Sequence, residues 1–402
     1  MKKVKLIIIF TVLVDVIGFG IVIPILPFYV TGFGASATIV TLLFASFSFF
    51  AFFSSPLLGA ISDRIGRRPV LILSITSTAI GWFVFAGATS IPILFLGRII
   101  DGAAAGNFSI AQSYLVDISE NEEDRTVNLG LIGAIFGIGF MLGPIIGGAL
   151  ATISHATPFW FAGGLATINA ITAYYFLPET NKRKNTEIRL NLNPLVPLQR
   201  AIRDFELRPL FVTWMMFGLA NVTSQTVFSL FVSKNFGFNA FVTGLTFTGM
   251  GFVVVINQAV LLKRFWLKRF SEGALEKIML WALIIGVTLF VTRSLYLFIV
   301  ATLFIGTGQS VLRVVLTSQV AGAANPQSKG EKLGMLSSLM SMCMVIGPII
   351  SGPLFEINDT FPYYLAGVYL IFGLMMAIRH DRNAALGSGK TASGLPIKGD
   401  EP

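Results

Sequence analysis

Charge is what this sequence has least of. Asp, Glu, Lys and Arg make up 12% of its 402 residues, against ~25% in an ordinary soluble domain. With 54% hydrophobic residues and a mean hydropathy of +0.78, a soluble globular protein is excluded. Cysteine is almost absent. Cys343 stands alone in an apolar stretch, so no disulfide framework and no Cys-based metal site can form within one chain. The two histidines, His155 and His380, lie far apart near the ends of apolar runs and make no metal constellation. No paired catalytic groups and no long polar stretch of domain size occur, so neither an enzyme, a cofactor nor a metal is expected.

What remains is a series of long apolar runs. The net charge of +9 would suit a nucleic-acid binder if it formed one face. Instead the basic residues fill alternate gaps between the runs, which is the positive-inside pattern of a membrane protein. Runs near the ~20 residues that a spanning helix needs are predicted at 38–58, 70–88, 92–116, 127–151 and 158–177. Before them Met1–Lys5 followed by Leu6–Val14 imitates a signal peptide, but Asp15 interrupts it, no small-residue cleavage site follows, and the apolar run continues to Pro24 and Pro27. It reads as the first spanning helix. A second set falls near 209–232, 241–262, 276–291, 295–320, 333–354 and 362–378. The total is about twelve, all-α, in two six-helix bundles with pseudo-two-fold symmetry. The expected division is 1–177 for the first bundle and 178–208 for a cytoplasmic central loop. The second bundle takes 209–379, and 380–402 is a disordered cytoplasmic tail. Loop charge places both termini in the cytoplasm of a multi-pass protein of the plasma (inner) membrane.

The densest charge lies in Gly59-Ala60-Ile61-Ser62-Asp63-Arg64-Ile65-Gly66-Arg67-Arg68-Pro69-Val70-Leu71, a tight link between the second and third runs. This resembles the loop signature of the major facilitator superfamily, and within it the drug/proton antiporters of the tetracycline-efflux type. Gly139, Gly143, Pro144, Gly147 and Gly148 in the fifth run give GxxxGPxxGG. Glycines at that density let helices approach closely, and the string resembles the motif that marks antiporters in that branch. Ile346–Pro353 carries a weaker copy, as an internal repeat would. The loop Leu262–Phe270 stands where a second copy of the charged signature would fall, basic but without its Gly and Asp.

Ionisable groups within spans cost at least ~2.5 kcal/mol on insertion scales and are functional by default. Asp15 lies in the first span. Arg98 and Asp101 lie in the fourth at a spacing of i, i+3, so they share a face and can pair, and Ala105, Phe108 and Gln112 are expected to extend that face. These three charges are the candidates for proton coupling. Arg313 lies in the tenth span, with Gln309 one turn before and Thr317 one turn after. Gln112, Asn221, Gln225, Asn257, Gln309 and Arg313 are the candidate substrate contacts, among apolar walls suited to an amphiphile. The resemblance further implies a latch of Gly59, Asp63, Arg64, Gly66, Arg67, Arg68 and Asp117. In it Arg67 pairs with Asp117, and Asp63 faces the N-terminus of the eleventh helix.

Tetracycline exporters are expected to carry a further acid in the third helix, a His in the eighth and an Asp in the ninth. Residues 75–86, 252–259 and 278–289 hold none of these. Gly387-Ser388-Gly389-Lys390-Thr391 imitates a phosphate loop, but the first glycine of the motif would fall at Ala384 and no strand precedes it. The implied function is a multidrug efflux transporter of the kind that confers antibiotic resistance. It would be a monomer in the lipid bilayer that exchanges protons for a small-molecule substrate, with no nucleotide and no nucleic acid. A facilitator or symporter of a small metabolite such as a sugar, or a receptor or scaffold that transports nothing, are the alternatives.

Overall fold

In lipid the backbone has no water to bond to, so a spanning chain must satisfy its own N–H and C=O groups. The computed structural model, which describes residues 2–181, 196–205, 207–325 and 328–387, meets that demand with helices alone among the described residues. In order they are α1 (Lys2–Thr31), α2 (Ala37–Ile65), α3 (Arg67–Ala86), α4 (Ile91–Ala103), α5 (Asn107–Asp117), α6 (Glu122–Ala151) and α7 (Thr157–Phe176). Then come α8 (Val196–Arg203), α9 (Arg208–Phe236), α10 (Ala240–Ile256), a π-helix (Asn257–Trp266) and α11 (Leu267–Arg269). The chain closes with α12 (Glu272–Val291), α13 (Leu295–Ala323), α14 (Lys329–Ile357) and α15 (Phe361–Gly387).

Among the described residues, eleven of the helical passes are long and apolar enough to cross a membrane, with α4 and α5 counted as one pass, and α10 with its π and α11 extensions as another. The twelfth, α7, has 20 residues and no charge, but Asn169 and its aromatic and small residues lower its apolarity. Two expectations need correction. The fourth span is not one helix but two, broken at Ala104–Gly106, where Gly106, a poor helix former, precedes Asn107. Spacing arithmetic therefore does not carry from Asp101 to Phe108 and Gln112. The tail is not irregular from His380, because α15 continues to Gly387. The phosphate-loop imitation from Ser388 onward lies outside the described residues.

The chain forms two compact units. One gathers Met1–Pro194, Thr223–Phe252 and Met344–Pro362, the other Leu195–Val222, Val253–Cys343 and Tyr363–Pro402. Lipid tails are as apolar as side chains, so helices here associate through close packing and hydrogen bonds. In the first unit α1 lies against α6 at their glycines. A Cβ added at Gly143 would stand 2.7 Å from the Gly20 Cα. The other face of α6 receives the start of α10, where Gly148 meets the backbone of Phe241 and the Thr248 hydroxyl donates to the Met141 carbonyl at 3.2 Å. An aromatic knot of Tyr29, Trp82, Phe85 and Phe159 fills the space between α1, α3 and α7, and the Tyr29 hydroxyl donates to the Ala86 carbonyl at 2.9 Å. In the second unit α12 and α13 pack together, Gly308 taking the side chain of Leu283. There the Trp214 indole donates to the Leu336 carbonyl at 2.9 Å.

Candidate functional site

The break in the fourth span builds the first cluster. Because α4 stops at Ala103, Asn107 becomes the first residue of α5 and its side chain turns inward. Its amide donates to Asp15 Oδ1 at 3.0 Å and to Thr78 Oγ1 at 3.2 Å, and the Thr78 hydroxyl is also in hydrogen-bonding reach of Asp101. Arg98 Nη1 holds Asp101 Oδ2 at 3.3 Å, as the i, i+3 spacing predicts. Arg98, Asp101 and Asn107 are 3%, 6% and 6% exposed. The guanidinium sits 4.4 Å from the Phe47 ring centroid and 5.3 Å from that of Trp82, which compensates part of its lost hydration. Gly81 and Gly97 permit this placement, since a Cβ at either would strike the backbone of the facing helix. Two buried atoms of the cluster, Arg98 Nε and Asn107 Oδ1, have no hydrogen-bond partner among the described residues. Asp15 and Asp101 thus share a pocket with one cation and one amide. Gln112, in α5, is half-buried and outside this network.

The second cluster lies at the charged end of α2 and α3. Arg67 pairs with Asp63 one turn before it, with Asp117 through Nε at 3.2 Å, and donates to the Ser62 hydroxyl at 2.8 Å. The expected Arg67–Asp117 pair is therefore present. Gly66 links the two helices at φ 119°, a conformation nearly confined to glycine. The Glu179 carboxylate lies against it and accepts from the backbone N–H groups of Arg67 at 2.9 Å and Arg68 at 3.1 Å. That satisfies the first amides of α3 and suits the positive end of its dipole. Asn181 donates to the Asp63 carbonyl at 2.8 Å, and Thr180 to Asp117 at 3.2 Å. Arg68 reaches the Tyr174 carbonyl at 2.6 Å. Arg64 is half-buried nearby, while Gly59 has space, its nearest neighbour for a Cβ being Ser109 at 3.9 Å. Sequence reasoning missed Glu179, Thr180 and Asn181. The only signal was Pro178-Glu179-Thr180 placed where the sixth run ends.

At the opposite end of α2, Glu356 from α14 accepts the Thr38 N–H at 2.8 Å. Close by, Gly352 lies against Thr38 and Thr41 with no room for a Cβ. Asp359, buried, takes Asn235 at 3.1 Å and Lys234 at 3.3 Å.

Among the second-half candidates, Gln309 of α13 donates to Asn221 of α9 at 2.7 Å. Arg313 follows one turn later. Asn257 is buried, and its polar atoms are engaged by the Trp266 indole at 3.0 Å, the Thr307 hydroxyl at 3.3 Å and the Val253 carbonyl at 2.9 Å. Gln225 is half-buried on α9.

The Major Facilitator Superfamily pattern matches residues 8–275. The quinolone resistance protein NorA of Staphylococcus aureus is 27% identical over 96% of this chain and 99% of its own. Multidrug resistance protein 2 of Bacillus subtilis is 27% identical over 93% and 94%. Among solved structures, the human organic anion transporter MFSD10 (TETRAN) superposes with a TM-score of 0.70 at 24% identity, covering 94% of this chain and 99% of its own. A bacterial homologue of the lysosomal transporter Spinster does so with 0.74 at 12%, over 99% of both chains. The chain belongs to the Major Facilitator Superfamily of membrane transporters.

Proposed function

We propose that this transporter exports small amphiphilic compounds in exchange for protons. The observation that carries the reading is the buried Asp15–Asn107–Asp101–Arg98 cluster. With both carboxylates ionised its charge sums to −1, and one bound proton brings it to zero. A neutral and a charged state of one pocket are what coupling to protons requires. Asp15, held by an amide alone, is the proton carrier, and Arg98 fixes Asp101 beside it. The relatives named for quinolone and multidrug resistance favour drug-like cargo.

Two six-helix bundles, 1–177 and 209–379, would give alternating access to a substrate held by Asn221, Gln309 and Arg313, with both termini cytoplasmic. Glu356 and Gly352 on α2, with Phe241 on α6, support a closed outer end. The Asp63–Arg67–Asp117 group with Glu179 forms the latch at the cytoplasmic end. A monomer in the plasma membrane, without nucleotide, suffices for this cycle. A facilitator for a small metabolite is the second reading, favoured by the tight caging of Arg98 if that pair never opens.

Proteoliposomes with acid interiors, diluted into alkaline buffer, test the reading. Accumulation of an amphiphilic fluorescent compound should collapse with a protonophore. Asp15→Asn should abolish gradient-driven accumulation and retain exchange at equal pH. Uptake that stops at equilibration, with or without the protonophore, would establish the facilitator.

A further inference from the structure

The charges in the middle of the spans are unevenly shared. Asp15, Arg98 and Asp101 stand in the first half. In the second half α9, α10, α12, α14 and α15 carry charges only toward their ends, and Arg313 is the one charged residue of α13. No carboxylate among the described residues ion-pairs with its guanidinium, and no hydrogen bond leaves it for any described group. Asp101 neutralises Arg98; nothing equivalent meets Arg313. Its side chain is nonetheless exposed.

Its position on the helix identifies the exposure. Tyr296, Ile299, Val300, Leu303 and Phe304 form the exposed apolar stripe of α13, the side suited to lipid. Gln309 follows Val300 by nine residues, roughly 180° round a helix of ~3.6 residues per turn. It faces a neighbouring helix, as its bond to Asn221 of α9 requires. Arg313 is one turn further along α13, ~40° round from Gln309, and the half-buried Thr317 follows one turn later. The guanidinium therefore belongs to the turn of α13 that follows the Gln309–Asn221 pair. An arginine keeps its charge in proteins, so it cannot take and release protons as a carboxyl does. A fixed cation one turn from a polar pair, with no anion beside it among the described residues, wants an anion, and a guanidinium fork matches a planar carboxylate best.

We infer that Arg313, with Gln309 and Asn221, is an anion subsite that selects amphiphiles bearing a carboxylate. This rests on the export reading above and names the substrate class of that same site. Lys at this position would supply the charge without the fork, and Gln neither.

Purified, full-length protein in detergent and in proteoliposomes should be probed with three matched aromatic amphiphiles: a carboxylate, its methyl ester and a quaternary ammonium analogue. Binding is measured by calorimetry and transport by accumulation under a proton gradient. The parent should bind the carboxylate tightest. Arg313→Gln should weaken the carboxylate by about tenfold or more, as expected for loss of a charged hydrogen-bonded pair, and leave the ester within about twofold. Arg313→Lys should recover part of the loss. Equal weakening of all three compounds by Arg313→Gln, or a parent that prefers the ester or the cation, overturns the anion subsite while gradient-driven export stands. Transport of no compound by the parent, with the carboxylate still bound and Arg313-dependent, overturns the export reading and upholds the subsite.

Discussion

Glu356 Oε1 and the backbone N–H of Thr38, 318 residues apart in sequence, meet at 2.8 Å. Helix α2 begins at Ala37 with Ser36 before it, and Ser36 makes no side-chain cap of its own. Its hydroxyl is instead within reach of Glu356, which lies in the last turn of α14 and satisfies the opening amides of α2 from the second half of the chain. In the export cycle proposed above, opening this end breaks that contact. Glu356→Ala should therefore raise the labelling rate of a cysteine placed at Ser36 by a membrane-impermeant maleimide several-fold. An unchanged rate would mean that the contact holds nothing shut.

Asn107 should matter more to coupling than to binding. Asn107→Leu keeps the volume and removes the amide that links Asp15 to Thr78. Gradient-driven transport should fall by about tenfold, the scale of losing a hydrogen bond to a charged group, while substrate affinity at equal pH stays within a factor of about two. Parallel loss of affinity would move Asn107 into the substrate site.

Two glycines of the charged loop should separate cleanly. Gly66 has φ 119° and the Glu179 carboxylate against it, whereas a Cβ at Gly59 meets nothing closer than 3.9 Å. Gly66→Ala carries a backbone cost of ~1–3 kcal/mol and displaces Glu179, so its melting temperature in detergent should drop well below the parent's. Gly59→Ala should melt with the parent. Equal melting of the two would contradict the strained link.

Asn257 and Gln309 both look like substrate contacts in the sequence, but their surroundings differ. Asn257→Ala leaves the Trp266 indole without its acceptor, a loss of ~1–3 kcal/mol for a buried group. It should lower thermal stability and leave substrate affinity alone. Gln309→Ala should do the reverse, read by the same melting and calorimetric measurements.

The number and order of the helices were legible because apolar runs of bilayer length have few other uses. The Arg98–Asp101 pair was legible because both residues lie in one uninterrupted helix. The break at Ala104–Gly106 was not, since an apolar run passes over it and small residues do not announce a stop. With it went the role of Asn107, which entered the cluster only when it became the first residue of a new helix. Trp266 was invisible as a partner for Asn257 because π-winding, not α-winding, brings it back after nine residues. Glu179 and Glu356 lie at the ends of apolar runs. Their work is to end other helices, and contacts more than a hundred residues away leave no periodic trace.

Helix α5 begins at Asn107 and ends at Asp117. One end is tied to Asp15 in the middle of the membrane, the other to Arg67 at the charged border. Eleven residues of α-helix make a strut about 16 Å long, and the break at Ala104–Gly106 frees it from α4. The same short helix therefore joins the Asp15 cluster to the Arg67 cluster through one contact at each end.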